Sequence, residues 1–378
     1  MVAGQQELLK VIVDQDCSGP GTTNTNSLLA LLQSPRIQIL GITVPSGDGW
    51  VAENVLHCLR LLELLGRTDV PVISGAAMPW SGSPAIVKRW EALYGNISWK
   101  GAFGLNYTAF EVFPEHFPEG LPTTQPLNTT AAQFIVKTVQ SLPDGTVTLL
   151  ALGPMTNFAT AITLDPSLPG RVKEFVVSGG ALDCGQFEND RQKPGKRCDM
   201  SNRPKFEFNM WFDALAADFV FRSERKVIPY WTKLSVVPVD ISSTLMWSDA
   251  MRSAIQSNCT TRAANYLNKY VLSSSVHSSD VAAASSSSPD FNFPMFDEGA
   301  VIGWLYPEIY GLGGPSAISY FIAVDTSEGA GGGDTLTWPV SGPTSIPTGL
   351  GQNIASSPSS VSIDIFQQRY LDLVFLRA

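Results

Sequence analysis

The chain has 378 residues, of which 44% are hydrophobic, and a formal net charge of -9 at pH 7. This length is enough to bury a large core in one big α/β domain or in two smaller ones. The acidic balance argues against a nucleic-acid partner, because phosphate binding needs clustered Lys and Arg. No window of about 18 apolar residues occurs, so we expect neither a transmembrane helix nor a membrane partner.

Strand-like apolar runs alternate with helical patterns in the first half of the chain. The runs LLKVIVDQD, IQILGITVPSGDG and DVPVISGA predict strands. Between them, NSLLALLQSP predicts a helix that stops before Pro35, and VAENVLHCLRLLELLGR predicts one that ends at Gly66. The alternation continues with the helix TAAQFIVKTVQSL, the strand TVTLLALGP, the helix MTNFATAITLDP and the strand EFVVSGGAL. It predicts an α/β fold with an open, mostly parallel, Rossmann-like sheet flanked by helices, whose sites form at the carboxyl ends of the strands.

The second half is less regular. MWFDALAADFVFRS, DEGAVIGWLYP and FQQRYLDLVFL predict helices, KVIPYWT predicts a strand, and EGAGGGDTLTW is rich in turn residues. Three segments interrupt the pattern as loop excursions, at about 80–128, 183–203 and 273–293, and the last holds a serine-rich tract of low complexity. Because we find no repeat and no convincing linker, we predict a single domain over residues 1–378.

The cysteines and glycosylation sequons bear on the cellular compartment. Cys184 and Cys198 flank a polar loop and either form a disulfide or remain free thiols, while a zinc site is disfavoured by the absence of a CxxC pair. The amino terminus runs straight into a strand and does not have the pattern of a signal peptide. N-x-[ST] triplets occur at Asn96, Asn106, Asn128 and Asn258. Such triplets favour a secreted glycoprotein, and a cytoplasmic protein is the open alternative.

Two carboxylates, Asp14 and Asp16, follow the first predicted strand. Side chains two apart on a strand point the same way, and neighbouring carboxylates must share a cation or a proton. With the Gly- and Thr-rich loop that runs to Asn24, they offer the oxygen ligands that Ca²⁺ prefers. Alone, this pattern also suits a phosphoryl-transfer aspartate of the haloacid dehalogenase type, or two ordinary surface acids.

Three more polar groups follow later in the chain. Asp297 stands near the start of an apolar helix, as a simple N-cap or as a ligand. Glu207 and Asn209 would share one face of an extended segment and could bind sugar hydroxyls or form ordinary loop hydrogen bonds. The segment LGPMTN, which begins at Leu152, is a strand-to-helix turn whose carbonyls could face a bound ion.

In this order, the motifs resemble those of the inosine-uridine preferring nucleoside hydrolase family over nearly the whole chain. VIVDQDCSGPGTTN looks like the family's DxDxGxDD loop with about three extra residues, and DVPVISGA resembles its third-strand signature. LGPMTN resembles the segment whose carbonyl binds calcium, and the SGG and EFN stretches resemble its ribose-binding region. FDEGAVIGWLYP resembles the segment with the last calcium aspartate, and GAGGGDTLTW the tail of one subgroup. We identify the chain as a divergent member.

The resemblance implies calcium-dependent hydrolysis of the N-glycosidic bond of ribonucleosides to ribose and free base. Asp16 would be the general base and a calcium ligand, and Asp14 would support it from behind. The other calcium ligands would be Asn24, the carbonyl of Leu152, and Asp297. The residues that hold the nucleoside would be Thr23, Asp48, Glu207 and Asn209. Family members commonly form dimers or tetramers, so we expect a homo-oligomer.

The chain departs from the family pattern at three positions. Asn24 is neutral where the family has an acid, which predicts weaker calcium binding. Thr23 replaces a second acid that would bind the sugar, and Phe296 stands where several members have a histidine that protonates the leaving base. These departures leave open an altered reaction, another glycoside as substrate, or an inactive calcium- and sugar-binding module. The tryptophans that could stack on a base are Trp211, Trp231 and Trp338.

Overall fold

The fold is built around one sheet. A computed structural model describes residues 8–97, 99–182, 205–221, 231–272, 294–310, 317–339, 354–358 and 361–376. Within these ranges, nine strands join in the order β3-β2-β1-β4-β5-β6-β9-β7-β8. The strands are β1 Leu9–Asp14, β2 Ile37–Val44, β3 Val72–Ser74, β4 Val147–Ala151, β5 Glu174–Ser178, β6 Leu234–Val237, β7 Ala317–Val324, β8 Thr335–Pro339 and β9 Ile354–Pro358.

Seven neighbouring strands, from β3 to β9 in the sheet order, run parallel to one another. Only β7 reverses, because it pairs antiparallel with both β9 and β8. The predicted open, mostly parallel α/β sheet is therefore confirmed. The carboxyl ends of β1, β2, β4 and β5 lie side by side, so the loops that follow them share one edge of the sheet.

Helices cover both faces of the sheet. On one face, a hydrophobic cluster joins α1, α2 and α12 through residues such as Leu28, Leu61 and Val301, and on the other face a second cluster joins α4, α5 and α8. The helices are α1 Thr23–Gln33, α2 Val51–Leu65, α3 Pro84–Tyr94, α4 Ala131–Gln140, α5 Thr156–Leu164, α6 Leu168–Arg171, α7 Phe208–Phe212, α8 Ala214–Phe221, α9 Val239–Ser242, α10 Asp249–Ser257, α11 Arg262–Tyr266, α12 Phe296–Leu305 and α13 Ile363–Val374. No helix in the described ranges is long and apolar enough to span a bilayer.

The first two helices begin and end where local chemistry requires. Thr22 caps α1 by accepting a hydrogen bond from the Thr25 N–H, and the helix stops before Pro35 as predicted. Gly66 ends α2 with φ 71°, a conformation that glycine adopts without strain. All eleven residues of α1 are buried, which brings its polar first turn into the interior.

Several predicted elements differ from the structure. The helix predicted over MWFDALAADFVFRS is interrupted at Asp213, whose backbone lies between α7 and α8. The strand predicted over KVIPYWT lies mostly outside the described residues, and the observed strand is β6, which begins at Leu234. Strands β7, β8 and β9 were not predicted. Three further predictions fall outside the described residues: the Cys184–Cys198 disulfide and the excursions at 183–203 and 273–293. The division into a single domain stays a prediction.

The excursion at 80–128 is fastened to helix α2. Glu53 accepts hydrogen bonds from the Tyr107 hydroxyl at 2.6 Å and from the Phe113 N–H at 2.9 Å. One turn further along α2, His57 Nδ1 lies 2.5 Å from Glu119 Oε1, and both side chains are buried. These polar contacts fix the excursion to a helix whose other face packs in the core.

Candidate active site

A cavity opens at the carboxyl ends of the parallel strands. It collects residues from loops far apart in the sequence, as expected for this kind of sheet. The predicted residues that line it are Thr23, Asn24, Asp48, Leu152, Glu207, Asn209 and Asp297. The other lining residues include Ser18, Trp99, Ser178, Phe208 and Phe296.

Asp16 is 1% exposed and is not among the described residues that line this cavity, but it lies directly behind two that are, Asn24 and Asp48. Its Oδ2 accepts a hydrogen bond from the Asp48 N–H at 2.7 Å, and its Oδ1 accepts one from Asn24 Nδ2 at 3.1 Å. A Cβ at Gly47 or Gly153 would collide with the Asp16 carboxylate, so both glycines make room for it. Burial, and then the charges of Asp48 and Asp297, raise the pKa of Asp16 well above its usual range.

Asp297 approaches from the opposite side, in the first turn of α12. It does not cap the helix, because the N-cap position is Met295, so the simple N-cap interpretation is wrong. Its Oδ1 accepts from Ser178 Oγ at 2.9 Å and its Oδ2 from Gln15 Nε2 at 3.0 Å. Burial raises the pKa of Asp297 to about 7 despite these two hydrogen bonds.

Asn24 lies between the two carboxylates. Its Nδ2 donates to Asp16 Oδ1 and to Gln15 Oε1, both at 3.1 Å, and is 3.4 Å from Asp297 Oδ2. Its Oδ1 accepts from Ser18 Oγ at 2.9 Å. The amide nitrogen therefore occupies the position between the acids that would otherwise suit a cation.

Asp48 and Trp99 form a pair on the outer wall. Trp99, from the excursion at 80–128, donates its indole N–H to Asp48 Oδ1 at 2.7 Å. Burial raises the pKa of Asp48, and the hydrogen bonds from Trp99 and Asn24 oppose this. Sequence analysis missed Trp99, because nothing local distinguishes it from the other aromatic residues of the excursion.

Glu207 and Asn209 take part in loop hydrogen bonds as well as lining the cavity. Glu207 caps α7 by accepting from the N–H groups of Asn209 and Met210, and its Oε2 also accepts from the Gly180 N–H at 3.1 Å. Asn209 Nδ2 donates to the carbonyls of Leu152 and Ser178, at 3.3 and 3.1 Å. With both amide protons engaged, Asn209 keeps its Oδ1 as the acceptor for a ligand.

Asp14 lies behind the cavity rather than in it. Its Oδ2 accepts from Asn157 Nδ2 at 2.7 Å and from the Thr43 hydroxyl, and its Oδ1 is buried without a hydrogen-bond partner. Burial raises the pKa of Asp14 to about 7, although both hydrogen bonds lower it. Asp14 thus joins β1 to β2 and α5 beneath the Asp16 loop, and its supporting role stays a prediction.

The proposed aromatic stacking residues are not the ones that line the cavity. Trp231 stacks on Phe175 in the core at a centroid distance of 4.2 Å, and neither Trp211 nor Trp338 is among the described lining residues. The lining aromatics are Trp99, Phe208 and Phe296. The cavity therefore has an apolar, aromatic side besides its acidic one.

The acidic side has no positive counterpart among the described lining residues, which include no Lys, Arg or His. The pKa of Glu207 is raised by burial and by the charge of Asp48, although three backbone N–H groups lower it. Within the described ranges, no three His, Cys, Asp or Glu side chains form a metal-binding group. The carboxylates that Asn24 joins are those of Asp16 and Asp297.

Fold and site together define an α/β protein with an acidic, oxygen-rich pocket suited to a hydroxylated ligand. The chain belongs to the inosine-uridine preferring nucleoside hydrolase family, whose sequence model matches residues 11–361.

Relatives of this chain include enzymes of that kind. A probable uridine nucleosidase 1 of Oryza sativa subsp. japonica is 30% identical over 240 residues, which are 64% of this chain and 61% of the relative. The pyrimidine-specific ribonucleoside hydrolase RihA of Escherichia coli O1:K1 / APEC is 30% identical over 220 residues, 58% of this chain and 59% of the relative. The solved structure of a plant nucleoside hydrolase superposes with a TM-score of 0.69 at 21% identity, over 97% of this chain and 99% of that one. That structure has the same fold.

Proposed function

We propose that this protein hydrolyses the N-glycosidic bond of ribonucleosides in a calcium-dependent reaction, with Asp16 as the general base. The observation that carries the proposal is the pair of buried carboxylates, Asp16 and Asp297, which Asn24 joins at the floor of a polar pocket in a member of this family. The chain spans 61% and 59% of the length of the rice and E. coli relatives, whose names indicate nucleoside hydrolysis.

The residues present fit a calcium ion. Asp16, Asp297 and the Leu152 carbonyl supply oxygen, and the buried acids lack a positive partner among the described lining residues. Asn24 can also act as a calcium ligand if its side-chain amide is flipped by about 180°, which exchanges the positions of Oδ1 and Nδ2. Oδ1 then faces the two acids, and Nδ2 donates to Ser18 Oγ, which can accept as well as donate a hydrogen bond. With only two carboxylates in the set, we expect modest affinity.

The mechanism uses the acids on the sugar side of the pocket. Asp16 removes a proton from the attacking water, a step that typically contributes about 10²–10⁴-fold. Bound calcium would supply a lowered pKa for that water and would offset the acids' mutual repulsion. Thr23, Asp48, Glu207 and Asn209 hold sugar hydroxyls and fix the ring for attack.

The aromatic side of the pocket suits the base. Phe208, Phe296 and Trp99 offer it ring faces and edges. Phe296 cannot protonate a leaving base, so we expect the best substrates to be nucleosides whose base departs readily or takes its proton from solvent. The phenylalanine at position 296 is also the observation that favours a second candidate function, the hydrolysis of another glycoside in the same pocket.

A nucleoside panel tests the proposal. Inosine, uridine, cytidine and adenosine are incubated with the full chain, and reducing sugar is measured with added calcium and with a chelator. We expect release from at least one nucleoside in calcium and loss of that release in chelator. Release that the chelator leaves unchanged would contradict the calcium requirement. Release from none of them would contradict nucleoside hydrolysis, and a panel of other glycosides would then test the second candidate.

Two finer features belong to the same proposal. We expect a homo-oligomer, to be measured by analytical ultracentrifugation. We also expect glycosylation if the protein is secreted, because all four sequon asparagines, Asn96, Asn106, Asn128 and Asn258, are exposed. The disulfide between Cys184 and Cys198 stays a prediction that non-reducing peptide mapping can test.

A further inference from the structure

Two helix starts meet at the floor of the pocket. Thr23 is the first residue of α1, and Asp297 and Glu298 are in the first turn of α12. The Thr23 hydroxyl accepts a hydrogen bond from the Asp297 N–H at 2.8 Å and donates one to Glu298 Oε2. Glu298 is fully buried, and its Oε1 has no hydrogen-bond partner.

These contacts settle what Thr23 can offer to a ligand. A threonine hydroxyl has one proton and two lone pairs. Here Glu298 takes the proton and the Asp297 N–H takes one lone pair, so the hydroxyl keeps a single lone pair, and Thr23 is one of the residues that line the pocket. Oε2 of Glu298 can accept that proton whether or not Oε1 is protonated, so the arrangement does not depend on the charge of Glu298.

We propose that Glu298, which does not line the pocket, is a positioning residue that acts through Thr23 and makes its hydroxyl an acceptor for one hydroxyl of the substrate sugar. A threonine without this partner could turn its proton towards the ligand, and it would then bond only to a sugar hydroxyl whose own oxygen is still free to accept. Glu298 thereby favours sugars that have the hydroxyl over deoxy analogues. The inference rests on the proposed function and deepens it by adding a determinant of sugar specificity.

The test compares uridine with its 2′-, 3′- and 5′-deoxy analogues in four variants. Thr23→Val and Glu298→Met should each lower kcat/KM for uridine by about 10-fold, mainly through KM, because one hydrogen bond to the sugar is lost. Each loss should disappear with the one analogue that lacks the hydroxyl bound by Thr23. Glu298→Gln should stay close to wild type, because the Gln carbonyl can accept the same proton. The double variant should lose no more than Thr23→Val alone.

A matched control separates positioning from stability. Glu174 is another buried acid, at the amino end of β5 and therefore at the opposite edge of the sheet. Glu174→Met should lower the melting temperature without changing the preference among the four nucleosides. An equal loss for Glu298→Met on all four nucleosides, or an additive double variant, would overturn the inference.

The role of Glu298 can be tested even if the protein does not hydrolyse nucleosides. If wild type cleaves no nucleoside, hydrolysis is refuted, and the same comparison is made with dissociation constants from calorimetry. Glu298→Met and Thr23→Val should then weaken the binding of uridine but not of one deoxy analogue. Unchanged binding of uridine, or an equal weakening for all four ligands, would overturn the role of Glu298 on its own.

Discussion

At the scale of single residues, Asn24 is the unusual member of the proposed calcium site. Its amide nitrogen lies between the Asp16 and Asp297 carboxylates, where it offers partial positive charge in place of a metal. Asn24→Asp would add a third carboxylate, and calcium affinity rises with the number of charged ligands. We expect calorimetric titration to give calcium binding at least about 10-fold tighter than in wild type.

The matched control for that change is Asn26→Asp. Asn26 is buried in the same helix, two residues further on, but is not among the described residues that line the cavity. The Asn26→Asp variant should therefore bind calcium with an affinity close to that of wild type. Equal affinities in wild type and Asn24→Asp would remove position 24 from the ligand set.

Asp16 is the proposed general base. Asp16→Asn should lower kcat by about 10²–10⁴-fold, because the amide cannot take a proton from water. The fold should survive, since the substitution also removes repulsion from Asp48 and Asp297, and the circular dichroism melt checks this. Turnover at wild-type levels in Asp16→Asn would mean that another group is the base.

Trp99 is the residue through which the excursion reaches the pocket. Trp99→Phe keeps an aromatic ring but loses the indole N–H that Asp48 accepts at 2.7 Å. We expect KM to rise by roughly 3- to 10-fold with a smaller effect on kcat, since one hydrogen bond is lost. Trp90→Phe removes a similar indole hydrogen bond, to the Gly329 carbonyl, away from the described pocket and should leave KM unchanged. Equal KM values in the two variants would remove Trp99 from substrate positioning.

At the scale of elements, helix α2 also binds the excursion through the carboxylate of Glu63, which accepts hydrogen bonds from Thr123 and Thr124. Burial raises the pKa of Glu63, but hydrogen bonds from Thr124, Arg60 and Thr123 outweigh it and bring the pKa to about 2 from its usual 4.5. A lowered pKa in the folded state stabilises the fold above the unfolded value, and this stabilisation is lost as pH falls from about 4.5 towards about 2.

The corresponding prediction concerns Glu63→Gln. The variant should melt at a lower temperature than wild type near pH 6, and the difference should shrink by about pH 3, where wild type also begins to lose the charge. Thermal melts followed by circular dichroism across this range measure it. A difference that is the same at both pH values would show that the charge of Glu63 does not fasten the excursion.

The elements also show what a sequence can and cannot reveal. Helix α2 was predictable because its apolar spacing and Gly66 act locally. Strand β9 was not, because IASSP has no apolar alternation and gains its place only by pairing with β6 and β7. Trp99 was not predicted for the same reason, because its contact with Asp48 depends on how the whole excursion folds.

The acids were predicted by two routes. The end of a predicted strand pointed to Asp16, and the resemblance to the family added Asp48 and the ligand role of Asp297. The order of the parallel strands then brings Asp16 against the Asp48 N–H, and Asn24 links Asp16 to Asp297. The contact of Thr23 with Glu298 was not predictable, because it depends on the packing of α1 against α12 to within one hydrogen bond.

At the scale of the whole molecule, we expect the buried acids to make the free energy of unfolding depend on pH and, through the proposed site, on calcium. The pKa of Asp297 is about 7 and that of Glu298 about 8, both raised mainly by burial. The folded chain therefore holds protons that the unfolded chain releases, so this stabilisation is complete below about pH 4 and is lost as pH rises towards about 8.

Melting temperatures in chelator should fall between about pH 5 and pH 8 for this reason. Calcium binds the ionised ligands, so the rise in melting temperature that it causes should be larger at about pH 8 than at about pH 5. Differential scanning calorimetry with and without calcium measures both effects. A calcium effect of equal size at the two pH values would contradict the ligand assignment.

Because the excursion at 80–128 is attached to helix α2 from outside, the substrate preference of such a protein can change without a change in the sheet. The proposed base and cation ligands follow the strands or begin helices packed on the sheet, whereas Trp99 is delivered by a segment fastened to α2 from outside. The part of ligand selection that Trp99 provides is therefore separable from the proposed reaction chemistry. Exchange of residues 80–128 with the matching segment of a relative, with the acidic partners on α2 retained, should alter the part of substrate preference that depends on Trp99 while leaving the reaction itself intact.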